Sequence, residues 1–223
     1  MRAGGNKAAI PVVYYGKTLR DGTRGQDANP TLTEKTHADT SLTDDELLAR
    51  ARGGEALAFR LLVERYEGTV AATVHGLLGN GADAEDVGQE VFVRFYRSLD
   101  RFRGEASLKT YLTRIAVNLS LNALRRRRRF WARFLPEDRF EDLEDATYEP
   151  DVEARDRAAL VRAALERLAP PFRVVVVLRM IEGYSTRETA EILDLPLGTV
   201  LSRLARAQQK LKVLLTPYFD DET

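Results

Sequence analysis

The chain has 223 residues, 44% of them apolar and 30% charged, which suits one domain or two small ones with a real core. Its 34 basic and 34 acidic side chains cancel, it has no cysteine, and its only histidines are His37 and His75. A disulfide framework, thiolate chemistry and a usual zinc site are thereby excluded, and no metal or cofactor is expected.

The charges are sorted along the chain. Residues 101–135 carry ten basic groups against one acidic, and residues 136–156 carry two against ten. Attraction depends on local potential within a Debye length of about 8–10 Å, so the basic block can draw a polyanion even though the whole chain is neutral. Nucleic acid is the first partner to consider. The short apolar run Ala8 to Tyr15 cannot make a signal sequence, and no stretch approaches membrane-spanning length. The expectation is a cytoplasmic protein without direct membrane insertion.

Residues 1–42, with scattered Gly, Pro and charge, read as a disordered tail. Thr43 and Glu46 have capping-box spacing, so a helix should start at Asp44. Phe59, Leu62, Val63, Tyr66, Val70, Val74 and Leu77 recur at three and four, one continuous helical stripe. Gly79 and Gly81 stop that helix, and Asp83 with Asp86 can cap and charge the next, which runs to about Leu99. Arg101 to Ala106 form a short basic, aromatic loop, and Ser107 can cap a fourth helix bearing Leu108, Leu112, Ile115 and Leu119 and continuing into Arg125–Arg129.

The acidic stretch Pro136 to Pro150 reads as a linker. A second helical set begins near Val152, with Val161, Leu165 and Leu168 on one face, and Pro170 and Pro171 break it. Val174–Val177 prefer strand intrinsically, but a lone strand would leave its backbone unpaired, so a buried helix is the expectation. Ser185 and Glu188 repeat the capping box. The short helix they open meets a turn at Asp194–Pro196, and the following helix puts Val200, Leu204, Ala207, Leu211 and Leu214 on one side. Thr199, Ser202, Arg203 and Arg206 fall on the other.

Such a pair suits a helix-turn-helix whose second member enters a major groove, although an ordinary helical hairpin with a solvated polar face fits the spacing equally. Arg125, Arg126, Arg127, Arg128 and Arg129 exceed what a helix C-terminus needs for its dipole, which favours contact with a nucleic-acid backbone over a merely solubilising end.

Two separated segments together resemble the extracytoplasmic-function (group 4) sigma factors of bacterial RNA polymerase. The first runs from Asp83-Ala84-Glu85-Asp86-Val87-Gly88-Gln89-Glu90-Val91-Phe92 through Ser98-Leu99-Asp100-Arg101-Phe102-Arg103-Gly104 to Ile115-Ala116-Val117-Asn118-Leu119, and is similar to sigma region 2. The second includes Glu182-Gly183-Tyr184-Ser185, Gly198-Thr199-Val200 and Ser202-Arg203-Leu204, and is similar to sigma region 4. The likeness covers about residues 44–215. It implies an all-α chain of two helical domains, region 2-like over 43–135 and region 4-like over 152–223, joined by an acidic flexible linker at 136–151.

The resemblance also implies roles. Asp86, Gln89 and Glu90 would contact the clamp coiled coil of the largest subunit of core RNA polymerase, with the flap as a further polymerase contact. Arg101, Phe102, Arg103, Gly104, Tyr111 and Asn118 would receive an unstacked base of the −10 element, although Phe102 reads equally well as core. Thr199, Ser202, Arg203 and Arg206 would read the −35 element. Tyr111 stands where the family usually has Trp, Leu201 where it has a basic residue, and Thr189 where it has Ile. Promoter DNA and an anti-sigma factor are the other implied partners. No nucleophile-histidine-acid set can be assembled, so catalysis by this chain is not expected. The rival readings are a two-domain helix-turn-helix regulator that binds duplex DNA without polymerase, and a helical protein-interaction module.

Overall fold

The computed structural model describes residues 42–132 and 157–219. Leu42, the last residue of the expected tail, packs on the first core; the rest of that tail and the acidic linker lie outside the described residues. Every regular element described is helical: α1 Asp44–Arg52, α2 Ala56–Leu78, α3 Ala82–Ser98 with a 3₁₀ turn at Leu99–Arg101, α4 Leu108–Ala132, α5 Arg157–Glu166, α6 Pro170–Val176 followed by a π turn at Val177–Ile181, α7 Thr186–Leu193, and α8 Leu197–Phe219.

Helices α1–α4 enclose one core. The stripe of α2 buries Phe59, Leu62, Val63, Val70 and Val74 against Val91, Phe92 and Phe95 of α3 and Leu108, Leu112 and Leu119 of α4. The expected box opens α1: Thr43 Oγ1 accepts from the Glu46 amide at 3.3 Å, and Glu46 Oε2 accepts from the Thr43 amide at 2.7 Å. Asp44 then ties α1 to α2 by accepting from Arg65 at 2.7 Å and from the Tyr66 hydroxyl. Gly79 ends α2 at φ 77°. The start of α3 corrects one expectation. Gly81 is the cap residue and no side chain caps it, so Asp83 supplies charge in the first turn and neither it nor Asp86 closes a cap.

Pro170 and Pro171 do more than stop the preceding helix: they begin α6, where a missing amide donor costs nothing. The four valines are helical and buried, as expected for a segment with apolar surroundings on every side. Val161, however, faces solvent at 40% exposure. The buried face of α5 is Leu160, Ala164 and Leu165, with Leu168 buried just beyond its end, so Leu165 and Leu168 lie inside as expected and Leu160 takes the place expected of Val161. Ser185 Oγ accepts from the Glu188 amide at 3.1 Å while Glu188 Oε2 accepts from the Ser185 amide at 2.7 Å, so α7 has its box. These bonds, the side-chain one first, hold the Glu188 carboxyl below its ordinary range. Ser185→Ala should therefore cost about 1 kcal/mol in urea unfolding at neutral pH. A lowered carboxyl contributes stability above its unfolded value and loses it on protonation, so the gap between wild type and Glu188→Ala should narrow as pH falls through the carboxylate range.

The two helical sets share a seam. Leu77 of α2 and Val117 of α4 belong to the same buried cluster as Val174, Val175, Val177, Leu178, Tyr184, Ile192 and Val200. Buried Thr113 and Tyr184 hydroxyls lie 2.7 Å apart, and Arg114 donates to the Glu191 carbonyl at 2.9 Å. Arg173 donates to the Leu77 carbonyl at 2.7 Å and, within its own set, to the carbonyls of Leu168 at 3.1 Å and Glu166. Gly76 lets the helices close here, since a Cβ there would stand 2.9 Å from a methyl of Val177.

Candidate nucleic-acid interface

Helix α4 is read on three sides. Leu108, Leu112, Ala116 and Leu119 face the first core, and Thr113 and Val117 face the seam. Tyr111, Asn118, Asn122, Arg126 and Arg129, at steps of seven, four, four and three, line up on the remaining side with Arg125 beside them. Asn118 and Arg125–Arg129 are exposed, whereas Tyr111 is half-buried. At 100° per residue, five consecutive arginines fan around a helix rather than share a face. Arg127 lies off the stripe, and its charge helps to lower the titration of Arg173, after the larger effect of burial.

The loop before α4 is fixed from below. Arg52, in the last turn of α1, donates through Nε to the Leu99 carbonyl at 3.1 Å and through its terminal nitrogen to the Phe102 carbonyl. Phe102 is half-buried, with its ring centroid 4.9 Å from that of Tyr111 at 53°. Tyr111 also meets Phe95 edge-on at 6.3 Å and donates its hydroxyl to Ser98 Oγ at 2.9 Å. The two aromatic residues thus form one pair that leans on the core while keeping some surface in solvent. Arg101 and Arg103 flank it, exposed, and Gly104 turns the chain at φ 74°. Chemically this is an aromatic shelf between two cations at the head of a basic stripe, an arrangement on which a base can stack while its phosphates stay neutralised. Sequence reasoning missed Arg52, because a cation in the last turn of a helix ordinarily signals only dipole compensation.

The acidic group stands apart from this side. On α3 the face opposite Val87, Val91 and Phe95 carries Asp86 and Gln89, both exposed, with Glu90 at its edge. Glu90 accepts from Arg94 Nε at 2.9 Å, a surface pair one turn apart whose strength is modest.

On α8 the packed face is Val200 and Ala207, with Leu204 and Leu211 partly covered. Ser202 and Arg206 are exposed, but Thr199 and Arg203 are half-buried on the flank. Ser202 turns its hydroxyl back to donate to the Thr199 carbonyl at 3.0 Å. The residues standing most fully away from the packed face are Gly198, Leu201, Ser202, Ala205, Arg206 and Gln209. Of these, Ala205 and Gln209 were not singled out from the sequence as part of this surface, and Leu201 was noted only as standing where the family has a basic residue. Helical spacing alone could have found them, had the face opposite the core been counted without preference for polar side chains. Before α8, Asp194 adopts φ 51° and shapes the turn from α7.

No helix among the described residues is long and apolar enough to cross a membrane. No group of three or more metal-ligating side chains occurs among them either.

Comparison with known proteins agrees in both halves. The family described as Sigma-70 region 2 matches residues 62–130, and that described as Sigma-70, region 4 matches residues 158–211. The ECF RNA polymerase sigma-E factor of Haemophilus influenzae is 36% identical over 185 residues, 79% of this chain and 97% of that protein. The RNA polymerase sigma-H factor of Pseudomonas aeruginosa is 32% identical over 191 residues, 80% and 96% of the two chains. Among solved structures, CnrH in complex with the cytosolic domain of CnrY aligns with a TM-score of 0.56 at 29% identity, covering 81% of this chain and 99% of that one. The sigma factor RpoE of Bartonella quintana, solved with the anti-sigma factor NepR, aligns at 0.54 and 22% identity over 71% and 96%, a likeness of fold.

Proposed function

The chain belongs to the extracytoplasmic-function group of the sigma-70 family, and from that premise we propose how its surfaces divide the work of an RNA polymerase sigma factor. Relatives alike along nearly their whole length, with both family regions in order, carry this reading. Core polymerase supplies the nucleotidyl chemistry. This chain supplies promoter choice and the first opening of the strands, and is not itself an enzyme; it works in the cytoplasm.

Asp86, Gln89 and Glu90 meet the clamp coiled coil of the polymerase's largest subunit, an acidic face whose charge guides encounter and orientation. Arg101, Phe102, Arg103, Gly104, Tyr111 and Asn118 capture a base of the −10 element. Unstacking costs a few kcal/mol, offset by stacking on the aromatic shelf and by hydrogen bonding at Asn118. Within the run Arg125–Arg129, chiefly Arg125, Arg126 and Arg129 hold the DNA backbone. Helix α8 reads the −35 element, with Ser202 and Arg206 towards the groove and Thr199 and Arg203 at its edge. Residues 43–135 and 152–223 act as the two arms, with 136–151 between them. CnrH was solved in complex with the cytosolic domain of CnrY, which supports an anti-sigma protein as a partner that restrains this chain.

The test is capture of purified core polymerase by this chain, followed by transcription from selected promoters. Retention of polymerase with promoter-dependent transcripts is the expected result; no association at low and moderate salt would overturn the reading. Asp86→Asn with Glu90→Gln should weaken capture about tenfold while leaving the unfolding midpoint unchanged, since neither carboxylate is buried. Arg206→Ala should instead spare capture and reduce −35-dependent transcription.

A further inference from the structure

A helix lying in a major groove is read by the side chains opposite its packed face. On α8 that stripe begins Gly198, Leu201, Ser202, Ala205 and continues to Arg206 and Gln209, all exposed. Its first two turns, the part of such a helix that reaches base edges, are apolar at their centre. Leu201 is 51% exposed, Ala205 adds only a methyl, and the Ser202 hydroxyl donates to the Thr199 carbonyl within the helix. Scattered exposed leucines need no explanation in general. This one stands within the reading stripe, between a glycine that leaves room for close approach and Arg206, which can pair with a phosphate or a guanine edge. Of the groups that base pairs offer in the major groove, the C5 methyl of thymine is the apolar one.

We infer that Leu201, with Ala205 beside it, packs on the C5 methyl of a thymine in the −35 element, so that this chain selects thymine there by apolar contact. The inference rests on the reading of α8 as the −35 helix and adds to it a base and an atom.

The experiment uses the holoenzyme formed from this chain and core polymerase. Promoters are selected from a duplex pool randomised across the −35 region, with wild type and with Leu201→Ala. Wild type should enrich a thymine at one position that the variant leaves unselected. Replacing that thymine by uracil removes only the methyl. It should weaken wild-type binding about fourfold, the worth of one buried methyl-sized group, and the variant by less than twofold. If a −35 sequence is enriched but uracil binds wild type as well as thymine does, the thymine contact is wrong and the −35 reading stands. Enrichment of no −35 sequence by a holoenzyme that assembles would remove both. If Leu201→Ala lowers polymerase capture and leaves base preference intact, Leu201 belongs to a protein contact and the inference falls. The uracil measurement on wild type needs no variant, so it decides the matter even if substitution disturbs folding.

Discussion

Replacing Arg173 by leucine should destabilise the protein by about 3–5 kcal/mol, a loss typical of removing one member of a buried, hydrogen-bonded charged group. Arg173 is 7% exposed, and its guanidinium donates to carbonyls at two helix ends: Leu77 in the last turn of α2, and Glu166 and Leu168 at and just beyond the end of α5. Carbonyls at those places have no partner within their own helix, and a cation there also suits both dipoles. Leucine fills much of the volume but leaves the acceptors buried and unpaired. Burial lowers the titration of Arg173, yet an arginine stays charged at neutral pH, so the loss is not a matter of protonation. Urea unfolding of wild type, Arg173→Leu and Arg173→Lys checks this. Lysine keeps the charge but not the fork and should recover only part of the loss. A change below about 1 kcal/mol for leucine would show that water replaces the guanidinium at both helix ends.

The second large effect concerns salt. Arg125, Arg126 and Arg129 continue the stripe that begins at Tyr111 and Asn118, so a strand seated on the aromatic shelf meets these three next. Each phosphate neutralised contributes about 0.9 to the slope of log affinity against log salt, so changing the three to glutamine should flatten that slope by about 2–3. Between 50 and 200 mM salt the same arithmetic has wild type lose about 15- to 60-fold more affinity than the triple variant. Arg127→Gln with Arg128→Gln, off the stripe, should flatten it by less than about 1. Anisotropy titrations of the holoenzyme on one promoter across this salt range distinguish the two sets. An unchanged slope in the triple variant would make the run a solvated helix end. Equal slopes lost in both would mean that the strand wraps α4 rather than following one side.

Features set by local chemistry were legible from the residues. Both capping boxes stand where Thr43 with Glu46 and Ser185 with Glu188 put them, because the partners are three residues apart. The α2 stripe was legible for the same reason, as was the helical state of the valines, which followed from having no strand to pair with. Phe102, read equally as core or as a stacking platform, is half-buried, which accommodates part of each reading. The seam could not be read. Thr113 and Tyr184 are 71 residues apart, and Arg173 and Leu77 are 96 apart. Nothing in the spacing of a threonine or a lone arginine announces a partner in another helical set. Val161 was misplaced because Leu160 and Val161 are both apolar and the length of α5 is too short for periodicity to choose between them. On α8 the expectation that DNA is read by polar groups drew attention to Thr199 and Arg203 and away from Leu201.

Where α2 passes the π turn, a single hydrogen on Gly76 stands in for a side chain, and β-branched Val177, stiff about its one side-chain bond, turns both methyls towards it. One added methyl at Gly76 would therefore work as a doorstop, prising the two halves apart without touching either cap or any charged surface. A chain wedged in this way offers a handle on how much of its behaviour depends on being shut.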